Sequence, residues 1–192
     1  MKNLFEDYLN ELGMLTDEEI QIVVADADFQ NKQKGKFLLK AGQVATQCYL
    51  VLKGCVREYY IKDGEEKSTS FFLEGDSISS FTSQKNNVPS KSYLECIEDC
   101  ILLVSNDDME KEICRKIPRL ESLILQEVEQ ITGRIQDKLV NFMTSSPEER
   151  YISLLENKPE LLRRVPQHQI ASFIGIQPES LSRLRKRILS KQ

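Results

Sequence analysis

The stretch Val165-Pro166-Gln167-His168-Gln169-Ile170-Ala171-Ser172-Phe173-Ile174-Gly175-Ile176-Gln177-Pro178-Glu179-Ser180-Leu181-Ser182-Arg183-Leu184-Arg185-Lys186-Arg187-Ile188 decides how this chain is read. Pro166 opens a helix whose apolar stripe is Ile170, Phe173 and Ile174. Ala171 is small enough to let a second helix cross close by. Gly175 supplies the left-handed residue that ends the first helix. Gln177 takes the next cap position and Pro178 the first turn, and Leu181, Leu184 and Ile188 then face inward. Two helices joined by so tight a turn make a helix-turn-helix. The second helix leaves Glu179, Ser180, Ser182, Arg183, Arg185, Lys186 and Arg187 outside, a polar and basic face suited to a major groove. Candidate DNA contacts are Gln167, His168, Gln177, Glu179, Ser180, Ser182, Arg183 and Arg187.

A purely structural helical hairpin would show the same apolar pattern. The charge distribution favours DNA. The chain carries a net −4, yet residues 163–192 hold seven bases and one acid. That end is +6 and the remainder is −10. An acidic body with a basic tip is the footprint of nucleic-acid contact at one end.

Working towards the N-terminus, Ser146-Pro147-Glu148-Glu149 starts a helix with a capping serine, a proline at the first position and a glutamate at the third. Before it, Leu120, Ile124, Val128, Ile131, Ile135, Leu139 and Phe142 step by 4, 4, 3, 4, 4 and 3, close to a heptad repeat. A helix from 118 to 143 is predicted, roughly 39 Å long. So long a helix with so narrow a seam is expected to pair with a copy of itself. From 28 to 105 the texture changes to short β-prone runs: 36–39, 48–52, 56–61, 68–73, 92–97 and 100–104. The turns between them hold Ala41-Gly42, Lys53-Gly54, Asp63-Gly64 and Gly75-Asp76, and Asp63-Gly64 predicts a type I′ hairpin. Short strands at this spacing predict an antiparallel sandwich or roll. Residues 3–26 read as helical, with a capping box at Thr16-Asp17-Glu18-Glu19.

The expected fold class is therefore α+β. An N-terminal antiparallel β-roll with its helices spans 1–116, a dimerisation helix 117–144, and a helix-turn-helix bundle 145–192. The 40% hydrophobic and 29% charged composition is that of a globular protein. No apolar run approaches a membrane span, and the acidic start does not read as a signal peptide, so a cytoplasmic location is expected. The odd set Cys48, Cys55, Cys96, Cys100 and Cys114 has no CxxC pair and reads as buried thiols. With His168 the single histidine, no catalytic or metal site and no cofactor is expected, and the chain is not read as an enzyme.

The chain resembles the Crp/Fnr family of cyclic-AMP-receptor-type regulators. The string from Leu39-Lys40-Ala41-Gly42 through Leu50-Val51-Leu52-Lys53-Gly54 to Phe72-Leu73-Glu74-Gly75-Asp76 looks like that family's cyclic-nucleotide-binding roll. Residues 170–187 look like its helix-turn-helix. The family's recognition helix reads Arg-Glu, three residues, Arg; here the first arginine is Pro178, while Glu179 and Arg183 are present. The resemblance implies an effector pocket at Ser79, Ser80, Phe81, Ser90 and Lys91. Yet Ser79 and Ser80 stand where nucleotide-binding members carry Gly-Glu, and no arginine lies between Arg57 and Arg115 to clamp a cyclic phosphate. The effector is thus left unknown, with cyclic AMP disfavoured. Expected partners are double-stranded DNA with an inverted-repeat operator and a second copy of the chain, and the resemblance adds RNA polymerase. Two other functions compete. A cyclic-nucleotide-binding protein acting on a protein partner is opposed by the basic C-terminal helix. A cupin-type metalloenzyme is opposed by the lone histidine.

Overall fold

A computed structural model describes residues 1–190. The chain falls into two compact units, one made of Met1–Glu58 with Phe71–Val128, the other of Tyr59–Ser70 with the chain from Glu129 onward.

The strands are antiparallel: β1 (Asp28–Lys32), β2 (Phe37–Leu39), β3 (Cys48–Lys53), β4 (Val56–Lys62), β5 (Glu65–Phe72), β6 (Ser77–Ile78), β7 (Tyr93–Cys96) and β8 (Cys100–Ser105), and the far part of the β4–β5 hairpin, 59–70, is counted with the second unit. They form two sheets, ordered β1-β8-β3-β6 and β2-β7-β4-β5. Between the sheets lies a core of Leu39, Tyr49, Val51, Val56, Ile78, Leu94, Cys96, Leu102 and Val104. The β3 strand explains why its sequence is apolar without a break. Tyr49 and Val51 enter the inter-sheet core, while Leu50 and Leu52 pack with Phe5, Leu9, Ile20 and Val24 of α1 (Lys2–Leu12) and α2 (Asp17–Ala25). A strand covered on both faces has no polar side.

Local signals formed as the sequence predicts. Thr16 and Glu19 close their capping box. Arg119 donates through Nε to Glu19 Oε1 at 2.7 Å, and that bond, with the Thr16 backbone bond, holds the Glu19 carboxyl down at about 2. Asp63 and Gly64 both take positive φ, 54° and 79°, as a type I′ turn demands. Several elements were not foreseen. The polar strand β1, Asp-Phe-Gln-Asn-Lys, forms because its whole length pairs with β8; tertiary pairing overrides weak β propensity. The two-residue β6 and the short α3 (Phe81–Asn86) follow the Gly75-Asp76 turn. After β8 comes α4 (Asp107–Lys116), capped by the Asn106 side chain.

The long helix α5 runs Leu120–Thr144, against the predicted 118–143, and buries no residue. It is followed by α6 (Pro147–Asn157), α7 (Pro159–Arg164), α8 (Gln167–Ile174) and α9 (Pro178–Leu189). Tyr151, Leu161, Val165, Ile170, Ala171, Ile174, Leu181 and Leu184 are buried among these helices.

Gly54 makes the β3–β4 turn with φ 102°, and a Cβ there would lie 2.7 Å from both the Asp99 carbonyl oxygen and Cys100 Sγ. Its N–H donates to Glu74 Oε1 at 2.8 Å. Gly64 also has positive φ but nothing within 4 Å of a Cβ. Gly54→Ala should therefore cost about 2–4 kcal/mol, strain plus overpacking, against about 1 kcal/mol for Gly64→Ala. Urea unfolding of both variants measures this, and equal losses would show that the close approach at Gly54 is absent.

Candidate nucleic-acid interface and sensor cavity

In the second unit, α8 and α9 are joined by Gly175-Ile176-Gln177. Gly175, at φ 80°, caps α8, and Ile176 N–H bonds to the Ala171 carbonyl at 2.9 Å. Gln177 is the N-cap of α9 in an extended conformation, with Pro178 in the first turn. Ile170, Ala171 and Ile174 of α8 and Leu181 and Leu184 of α9 are buried. This inward face fixes which residues of α9 face solvent: Glu179, Ser182, Arg183, Lys186 and Arg187 are exposed, and Ser180 and Arg185 are half-buried. Gln167 and His168, in the first turn of α8, are exposed, as is Gln177. The eight candidate DNA contacts thus occupy the start of α8, the N-cap of α9 and the solvent side of α9. Arg183 Nη2 donates to Ser180 Oγ at 3.3 Å. Arg187 is ion-paired with Glu148 of α6. Lys191, part of the basic end, lies outside the described residues.

Sequence reasoning missed two residues of this unit. Arg150 donates through Nε and Nη2 to the Ile174 carbonyl at 3.0 and 2.9 Å, and through Nη1 to the carbonyls of Phe142, at 3.0 Å, and Ser145. Its guanidinium carbon also lies 4.5 Å from the Phe142 ring centroid. Ser172 Oγ accepts from Ser68 N–H at 2.9 Å and donates to the Glu66 carbonyl at 3.0 Å. No local signal marks either residue: Arg150 bridges to the Ile174 carbonyl 24 residues on, and Ser172 to the Glu66 carbonyl 106 residues back.

The first unit holds a cavity of about 220 Å³. Leu38, Leu39, Val44, Ala45, Ile78 and Leu94 give it apolar walls, and Gln43, Thr46, Gln47, Tyr49, Ser79 and Ser80 its polar groups. None of these side chains is charged. Of the five residues named from the sequence, Ser79 and Ser80 line the cavity. Phe81 is 50% exposed at the start of α3, and Lys91 is exposed. Ser90 is buried, with its hydroxyl 3.3 Å from that of Ser92; its backbone pairs with Gly42 and Gln43. Ser83 also shapes this region: its buried hydroxyl accepts from Ala45 N–H at 2.9 Å and donates to the Val88 carbonyl at 2.6 Å.

Three of the five thiols, Cys55, Cys96 and Cys100, are buried, and Cys48 and Cys114 are half-buried. Cys96 and Cys100 are free thiols, and the side-chain hydrogen bond between them raises the Cys96 pKa and lowers that of Cys100. Cys100 Sγ lies 3.6 Å from the Cys55 carbonyl. Among the described residues, no three His, Cys, Asp or Glu side chains cluster as metal ligands would, and no helix is long and apolar enough to cross a membrane.

Residues 29–116 match the family model described as the cyclic nucleotide-binding domain. The chain is similar to the anaerobic regulatory protein of Aggregatibacter actinomycetemcomitans, with 25% identity over 164 residues, 79% of this chain and 63% of that protein. It thus spans less than two thirds of that relative's length. Its fold is similar to that of FixK2 from Bradyrhizobium japonicum, with TM-score 0.68 and 17% identity, covering 86% of this chain and 85% of that one. It is also similar to that of the c-di-GMP responsive global regulator CLP from Xanthomonas campestris, with TM-score 0.69 and 16% identity, covering 92% and 93%. Residues 29–116 thus carry a cyclic nucleotide-binding domain, and an antiparallel β-roll, a long helix and a helix-turn-helix follow one another in a fold similar to those of FixK2 and CLP.

Proposed function

We propose that this protein is a dimeric bacterial transcription regulator that reads DNA through α9 and answers to an effector other than cyclic AMP. The observation that carries the reading is the outer face of α9: exposed Arg183, Lys186 and Arg187 on a helix whose opposite side is anchored by Leu181 and Leu184. The regulators named above support it, and a cytoplasmic location fits it.

Dimerisation is supported by α5. No residue of that helix is buried, and Ile135, Leu139 and Phe142 are 58%, 60% and 49% exposed. A second copy of the same helix would cover this seam. Replacing Ile131 and Ile135 with glutamate would bury charge without a partner, at several kcal/mol. Sedimentation should then find monomers where the parent chain is dimeric; a dimer at micromolar concentration would show that the seam is wrongly assigned.

A two-fold dimer places its recognition helices roughly 34 Å apart, so the operator should be an inverted repeat. Arg183 lies five residues into α9, where an arginine can donate twice to guanine and contribute about 1–3 kcal/mol of discrimination. Glu179 is suited to accept from a cytosine amino group or to orient Arg183. Operators selected from a random pool should lose preference at one position of each half-site in Arg183→Ala. An equal loss of affinity for operator and random duplex would make Arg183 a phosphate clamp instead.

The uncharged cavity wall disfavours an anionic ligand. A cyclic phosphate brought into it would be desolvated without a bidentate partner. Cyclic AMP should accordingly leave the melting temperature unchanged, whereas a ligand at 100-fold over its dissociation constant adds about 2.7 kcal/mol. A clear rise would restore cyclic AMP as effector.

A further inference from the structure

The groove between the start of α6 and the outer face of α9 sets one acid against two arginines. It encloses about 530 Å³, and Arg183 and Arg187, one helical turn apart, line it opposite Glu148. Two glutamates open α6, and they are used differently. Glu149 turns back to the Ser146 N–H at 2.7 Å and completes the capping box. Glu148 reaches Arg187, 39 residues on, and accepts from its Nη2. The two side chains keep 31% and 55% of their exposure, so the pair is solvated. A solvated ion pair is weak and exchanges for another anion. The anion that α9 meets in the proposed function is a DNA phosphate, and Arg187 cannot serve it fully while held by a carboxylate.

We propose that Glu148 is a positioning residue that tunes DNA affinity: it holds Arg187 in a competing ion pair, which a phosphate must displace before Arg187 contributes to binding. The inference rests on the reading of α9 as the DNA-contacting helix. As long as the pair is closed, Arg187 and Glu148 together bring no net charge to the duplex. Neutralising Glu148 frees one positive charge per protomer, and each additional phosphate contact steepens the salt dependence by about 0.9.

The test uses the full chain and a labelled random-sequence duplex of about 30 base pairs, long enough for both half-sites. Dissociation constants are measured across salt from about 50 to 200 mM, where phosphate contacts govern affinity. Glu148→Gln should bind about two- to fivefold tighter per protomer at the low end and show a slope steeper by about one per protomer. Glu148→Ala, which removes the acceptor altogether, should behave alike. In an Arg187→Ala background, Glu148→Gln should change neither affinity nor slope. Exposed Glu156, at the far end of α6, is the charge control, and Glu156→Gln should leave the slope unchanged. Equal gains from Glu148→Gln with and without Arg187 would reduce Glu148 to general repulsion and overturn the proposal. Unchanged or weaker binding by Glu148→Gln would overturn it too, while leaving DNA binding intact. Failure of every variant, the parent chain included, to bind any duplex at the lowest salt would overturn the DNA-binding reading itself, and this proposal with it.

Discussion

A helix that ends leaves carbonyl groups without partners, and the negative end of its dipole collects there. In the C-terminal unit, α5 and α8 meet this problem with one side chain. The Arg150 guanidinium serves the Ile174 carbonyl at the end of α8 and the Phe142 and Ser145 carbonyls at the end of α5, and it lies over the Phe142 ring. A planar fork with five donors suits this position; an ammonium, a point charge on a flexible stem, does not. Gly175 belongs to the same arrangement: a Cβ there would stand 3.6 Å from both Arg150 and Phe142. Where α8 stops, and so where α9 begins, is thereby set relative to the end of the long helix. The solvent-facing side chains of α9 inherit their placement from that junction.

Features governed by near neighbours were legible in the sequence. The αL residue Gly175, the Ser146–Glu149 and Thr16–Glu19 boxes and the Asp63-Gly64 turn each depend on residues within about four positions, and each formed. The long helix α5 was legible because its apolar pattern repeats often enough over 25 residues to be seen. What was not legible depends on distant partners. Strand β1 has an unremarkable polar sequence and exists because β8 pairs with it. Arg150 is set apart by no local sequence signal, because one of its acceptors, the Ile174 carbonyl, lies 24 residues on. Within the proposed pocket, Ser79 and Ser80 were found by alignment to a family pattern. Ser83, which pins α3 to the loop before β3, lay outside that pattern.

The two units contrast in electrostatic character. Side chains around the first unit's cavity carry no charge, whereas the outer face of α9 is dominated by arginine and lysine. A neutral cavity selects by shape and a few hydrogen bonds, and its occupancy is insensitive to salt. A basic face selects anions over long range, and salt screens it strongly. The same buffer change therefore acts on the two ends of the chain very differently.

The buried thiols of the β-roll have a use that owes nothing to regulation. Cys55 and Cys96 show no exposed surface and Cys100 only 2%, so an alkylating reagent meets these sulfurs only when the sandwich opens. Their modification rate counts those openings, as amide exchange does for a backbone N–H. Where reclosing outpaces the reagent, the count gives the free energy of opening; where it does not, the count gives the opening rate itself. The protein thus carries an internal clock for the breathing of its β-roll, readable by mass without any label being engineered into it.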